Sequence, residues 1–136
     1  MEASELFQPG MVREMEVLVE ERHLAAHIGS GSYRVLATPI MIGFMEMNSH
    51  RLLAEGLPEG FSSVGVRVEV SHLAPTPLGM KVRVRSQVLA VEDQRITFQV
   101  EAWDDQEQIG TGRHERVVID ESRFLRRVAR KSGQEV

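Results

Sequence analysis

From Gly10 onward apolar side chains fall on odd positions, Met11, Met15, Val17 and Val19, while Glu14, Glu16 and Glu20 interleave. A period of two is that of a strand with one face buried. The pattern then lapses: residues 23 to 36 have no sustained period and include Gly29-Ser30-Gly31-Ser32. This predicts a mobile loop or a broken turn of helix, placed where a lid would sit. Thr38-Pro39 opens a helix, because threonine can cap free amides and proline fits the first turn without losing a needed donor. The helix is expected to run to about Ala54, with Gly56 ending it in a left-handed conformation and Pro58 preventing its resumption. Ile40, Met41, Phe44, Met45, Met47, Leu52 and Leu53 leave it almost no polar face, so it is expected to be buried.

Alternation returns with Val64, Val66, Val68 and Val70 against Gly65, Arg67, Glu69 and Ser71. After a turn at Pro75-Thr76-Pro77-Leu78-Gly79, Met80, Val82, Val84, Val88 and Ala90 alternate with Lys81, Arg83, Arg85 and Gln87. Glu92-Asp93-Gln94 and Asp104-Asp105-Gln106-Glu107 mark two further turns, around Ile96, Phe98, Val100 and Ala102 and before a last strand from Ile109 to about Ile119. Short connections favour an antiparallel meander, with the first two of these strands as hairpin partners. Asp120 to Lys131 is expected as a helix, with Phe124, Leu125 and Val128 on one side and arginines around it. A strand, a buried helix and a four-stranded meander give an α+β chain of the hotdog kind, an antiparallel sheet wrapped around a long central helix.

A chain of 136 residues with 42% hydrophobic content suits a single domain over 1–136. Residues 1–9 are expected as an N-terminal tail and 120–136 as a C-terminal helix and tail. With no cysteine, a disulfide framework, a thiolate metal cluster and a cysteine nucleophile are all excluded. The acidic start Met1-Glu2-Ala3-Ser4-Glu5 is unlike a signal peptide, and no apolar run approaches the ~20 residues of a membrane span. A cytoplasmic protein with no membrane partner is expected. The net charge of −4 argues against a nucleic-acid partner.

Within the apolar helix Glu46 is the anomaly, since a carboxylate is costly to bury unpaired. Either it emerges on an exposed stripe beside Asn48 and Ser49, or it is a nucleophile or general base held in an apolar site. Gly43, one turn earlier, suggests close approach by sheet or substrate. Thr38 is explained by capping, yet a hydroxyl at a helix N-terminus also suits developing negative charge, with the amides around Ile40 and Met41 as oxyanion donors. His72 shares by parity the side of Val66, Val68 and Val70, where a core histidine or a catalytic one would lie. His23 and His27 have no third ligand nearby in the sequence, so no metal site is expected. Gly29-Ser30-Gly31 lacks the context of a phosphate loop and reads as flexibility. Arg126, Arg127, Arg130 and Lys131 read as a solvated face that phosphates would find attractive.

The segments Ala37 to Glu46, Gly65 to His72, Pro75 to Gly79 and Gly110 to Arg116 together resemble the fluoroacetyl-CoA thioesterase family of the hotdog superfamily. The resemblance covers most of the chain. It implies a homodimeric or higher-order acyl-CoA thioesterase with no cofactor beyond the coenzyme A of its substrate. It further implies catalytic Thr38, Glu46 and His72, whose separations of eight and twenty-six positions match the family, with Gly65 and Arg116 at the substrate. The fluoroacetate-specific enzyme lines a hydrophobic lid with phenylalanine, whereas residues 28 to 36 offer only Tyr33 as an aromatic. A broader acyl-CoA specificity is therefore expected. Two other readings are a hotdog hydroxyacyl or enoyl-CoA (de)hydratase, suggested by the Pro39 to Gly43 helix opening, and a non-catalytic acyl-CoA-binding protein.

Overall fold

The structure, a computed structural model, describes residues 1–134. A one-turn helix α1 (Ala3–Leu6) precedes β1 (Val12–Leu18), a 3-10 turn at Glu21–His23 and a short α2 (Ala25–Ile28). Then come the long α3 (Thr38–Ala54), four strands β2 (Phe61–His72), β3 (Lys81–Glu92), β4 (Arg95–Trp103) and β5 (Gln108–Asp120), and α4 (Glu121–Lys131). The five strands form one sheet in the order β1-β3-β4-β5-β2, antiparallel throughout. Helix α3 packs against one face of this sheet, the α+β arrangement expected.

Topology departs from the expected meander. Only β3, β4 and β5 follow one another, while β2 pairs with β5 and β1 takes the free side of β3. The Pro75 to Gly79 segment is thus part of a crossover from the β2 edge of the sheet to β3, beside the opposite edge, not a hairpin turn. The pattern of alternation is the same in either arrangement, so it could not distinguish them.

The core forms where the even-numbered apolar rows of β3 and β4, Val82, Val84, Val88, Ile96, Phe98 and Val100, meet Met41, Phe44, Met45 and Leu53 of α3. All are buried, and each full burial stabilises by about 1.5–3 kcal/mol. Asn48 and Ser49, expected beside Glu46 on an exposed stripe, are fully buried instead. Asn48 Nδ2 donates to the Arg13 carbonyl at 2.7 Å and to Ser86 Oγ at 3.0 Å. Ser49 Oγ lies 2.8 Å from Ser86 Oγ. These bonds join α3 to β1 and β3 and fix the rotation of the helix about its axis.

Gly56 does not adopt the left-handed conformation expected of it. The C-cap of α3 is Glu55 in right-handed helical geometry, and a Cβ on Gly56 would lie 2.8 Å from Cε1 of Phe7. The glycine serves close packing. That contact is possible because the first nine residues are not a free tail: Ala3 and Phe7 are buried. No described helix is long and apolar enough to cross a membrane.

One irregularity decides which side chains share a face. Along β2 the register against β5 shifts between Gly65 and Arg67, with Gly65 opposite Arg116 and Val68 opposite His114. Val66 is therefore the extra residue of a bulge. Strict alternation would put Gly65 and His72 on opposite faces, seven positions apart. The bulge turns both toward α3.

Candidate active site

Thr38 is the first residue of α3, not its cap; Ala37 holds the cap position without a side-chain hydrogen bond. The amides of Ile40 and Met41, expected as oxyanion donors, both bond the Ala37 carbonyl, at 3.1 and 3.0 Å. What Thr38 does instead is meet β2. Its Oγ1 lies 2.7 Å from Nδ1 of His72, so the start of the helix and the end of the strand join at a hydroxyl-imidazole pair. Burial holds the His72 imidazole below the usual histidine range, opposed in part by the Ala74 backbone. It is consequently neutral near pH 7, able to accept a proton. His72 Nε2 is buried and has no hydrogen-bond partner among the described residues. Beside the pair lies an open cleft of about 370 Å³, lined by Ala25, Val35, Leu36, Ala37 and Pro75 among others.

A second cluster forms around Glu46. Its side chain is 43% exposed, so the enclosing apolar site expected from the helix composition is not built around it within one chain. Its Oε2 faces Gly65, where a Cβ would stand 2.9 Å away, and lies 3.9 Å from Nη1 of Arg116. Arg116 is itself buried, and a buried guanidinium demands partners. It has them: Nε donates to Ser63 Oγ at 2.9 Å, Nη2 to the Ser63 carbonyl at 3.1 Å, and Nη1 lies 3.1 Å from His114 Nε2.

His114 completes this arrangement. Its Nδ1 is 2.9 Å from the Arg67 carbonyl, which can only accept, so Nδ1 carries the hydrogen and Nε2 is free to accept from Arg116. Burial, the largest influence, holds the imidazole below the usual histidine range, and the adjacent Arg116 charge acts the same way. Neutral His114 and Ser63 thus aim the guanidinium at Glu46. Neither was singled out from the sequence. The signal was present in the register, since Ser63, Gly65, His114 and Arg116 converge on one face only when β2 is paired with β5.

The five predicted residues therefore fall into two groups, Thr38 with His72 and Glu46 with Gly65 and Arg116. Along β2 the groups are seven residues apart, roughly 20 Å at the rise of a strand. Along α3 Thr38 and Glu46 are separated by ~12 Å and ~80° of rotation. Among the described residues no cluster of three or more acidic, histidine or cysteine side chains is arranged to hold a metal ion.

A family model described as fluoroacetyl-CoA-specific thioesterase matches residues 19–122. The chain is 39% identical over 98 residues to a fluoroacetyl-CoA thioesterase from Streptantibioticus cattleyicolor, covering 72% of this chain and 70% of that protein. Among solved structures, a fluoroacetyl-CoA thioesterase superposes with a TM-score of 0.86 at 31% identity, covering 92% of this chain and 97% of that one. A hot-dog-like protein from Thermanaerovibrio acidaminovorans reaches a TM-score of 0.90 at 32% identity, over 99% and 100% of the two chains. A thioesterase superfamily member from Thermus thermophilus gives 0.84 at 28% identity over 94% and 97%. The chain belongs to the fluoroacetyl-CoA-specific thioesterase family and is a hotdog-fold thioester hydrolase.

Proposed function

We propose that the protein is a homodimeric acyl-CoA thioesterase whose two residue groups act on one substrate from different subunits. The observation that carries this reading is the separation just described: a thioester carbon is a single atom, and the groups of one chain stand too far apart to close on it. Strand β2 is an edge of the sheet, with Val66 and Val68 48% and 40% exposed. Edge strands invite pairing. With Val66 as the extra residue of the bulge, antiparallel pairing of two β2 strands about a two-fold axis through Glu69 sets Val68 against Val70, Arg67 against Ser71 and Gly65 of one chain against His72 of the other. The Thr38-His72 pair then faces the carboxylate of its neighbour.

In that composite site the thioester carbonyl oxygen is bound by the Thr38 hydroxyl, which His72 orients. Glu46 supplies the attack on the carbonyl carbon, either with its own oxygen or through a water it deprotonates. The carbonyl carbon to sulfur bond breaks and coenzyme A leaves as the thiol, with a proton that comes from water. Where Glu46 attacks directly, water then cleaves the acyl-glutamyl anhydride; on either route the acyl group leaves as the free acid and Glu46 is regenerated. Arg116, 3.9 Å away, positions the Glu46 carboxylate. Coenzyme A enters as part of the substrate, and no other cofactor is required.

Tyr33, the aromatic of the loop before α3, is 77% exposed, and nothing there narrows the acyl end to a two-carbon group. The absence of cysteine suits a cytoplasmic setting. A thiol-release screen over acyl-CoA chain lengths, with fluoroacetyl-CoA included, tests the reading. Release from several saturated acyl-CoAs is expected, whereas release confined to fluoroacetyl-CoA contradicts the breadth and release from none contradicts the activity. Hydration of an enoyl-CoA without thiol release would point to the hydratase chemistry instead.

A further inference from the structure

Helix α4 carries a feature that thioester cleavage does not use. At 100° per residue, Arg123, Arg126, Arg127 and Arg130 fall within one ~100° arc, opposite Leu125, Val128 and Ala129. With Asp120 and Phe124 they line an open cleft of about 410 Å³. None of the four makes an ion pair with a carboxylate among the described residues. Asp120 is the one carboxylate in the wall, and its Oδ1 accepts the Arg123 backbone amide at 3.2 Å as the cap of α4. Four like charges held together on a chain of net charge −4 repel one another until an anion sits among them.

The cleft also stands at a telling distance. Asp120 is four residues past Arg116 on β5, ~13 Å at the strand rise, and Arg116 is the partner of Glu46. A pantetheine arm of roughly a dozen bonds, each advancing ~1.2 Å as in an extended peptide chain, reaches about 15 Å. The two lengths match, so a thioester carbon at Glu46 leaves the diphosphate within reach of the cleft. Guanidinium forks suit phosphate oxygens, two bonds to a group.

We propose that the arginine cleft of α4 binds the phosphates of the coenzyme A portion of the substrate; the proposal rests on the acyl-CoA reading above. It is tested with the quadruple variant R123Q/R126Q/R127Q/R130Q, after its melting temperature is shown to match wild type, on acetyl-CoA and on S-acetyl-N-acetylcysteamine, the same thioester without phosphates. KM for acetyl-CoA is expected to rise by ~10-fold or more with kcat unchanged, as the loss of charge-assisted bonds requires. Kinetics on the short thioester should stay as in wild type. An unmoved KM for acetyl-CoA overturns the proposal, and so does an equal loss on both substrates, which would mark a role in shaping the site. Should wild type cleave neither thioester, titration of free coenzyme A by calorimetry decides the subsite, while the acyl-CoA reading itself stands or falls on the chain-length screen. Binding weakened ~10-fold in the variant upholds it, and an equal or undetectable affinity in both proteins overturns it.

Discussion

The two ends of the candidate site are built in different ways. At Thr38 and His72 a neutral hydroxyl-imidazole pair is made by the first residue of a helix and the last residue of a strand. At Glu46 the partner is a buried guanidinium held by Ser63 and His114 from two neighbouring strands. The first end is held by one contact between elements; the second is braced by the sheet itself. The difference teaches where charge can be afforded: the buried cation is placed where β2 and β5 supply several acceptors, and the neutral pair is placed at the rim, where few exist.

The largest effect is expected from removing charge at the braced end. Glu46→Gln keeps shape and removes the carboxylate, so turnover should fall at least ~10²-fold with the fold intact. A folded variant hydrolysing acyl-CoA near the wild-type rate would show that the carboxylate does not take part. At the neutral end, His72→Ala and His72→Gln should each lower turnover by roughly 10- to 100-fold. Melting temperature measured beside turnover separates the readings, because a core histidine would show as lost stability with activity per folded molecule retained.

Gly65→Ala probes the contact between strand and carboxylate. The added methyl meets Glu46 Oε2 at 2.9 Å and His114 Cε1 at 3.1 Å. The carboxylate end can swing away, so stability should change by no more than ~1 kcal/mol while kcat falls ~10-fold through displaced geometry. An unchanged kcat would mean that Glu46 is not needed where it stands.

The smallest effect is on stability. Burial is the leading cause that lowers the pKa values of His23, His50, His72 and His114 below 6.5. Between those lowered values and 6.5 the unfolded chain binds more protons than the folded one, so stability is full above about pH 6.5 and declines as pH falls below it. Melting temperature should decrease from pH 7 to pH 5; a flat or rising profile contradicts the burial of neutral imidazoles.

Much of this was legible in the sequence because periodicity reports burial directly. The extent of α3, the turns at Asp93 and Asp104 and the sheet-facing row of β4 all followed from it. Asn48 and Ser49 misled because polarity was read as exposure, when Ser86 and the Arg13 carbonyl satisfy them inside. The place of β2 at the far edge was illegible since pairing is a property of two strands, and alternation describes one. The bulge at Val66 was hidden for the same reason, and with it the convergence of Ser63, Gly65 and His114. Thr38 was read as a cap, yet its hydroxyl is taken by His72, thirty-four positions away.

The proposed division of labour between subunits is tested most directly by complementation. Thr38→Ala and Glu46→Ala chains, each shown to be nearly inactive alone, are mixed under mild denaturation, and chain exchange is verified by mass spectrometry. Random reassortment makes half of the dimers mixed, each with one intact site of two, so about a quarter of wild-type activity should return. If exchange is complete and activity stays at the level of the separate variants, each site belongs to a single chain and the shared-site account is wrong.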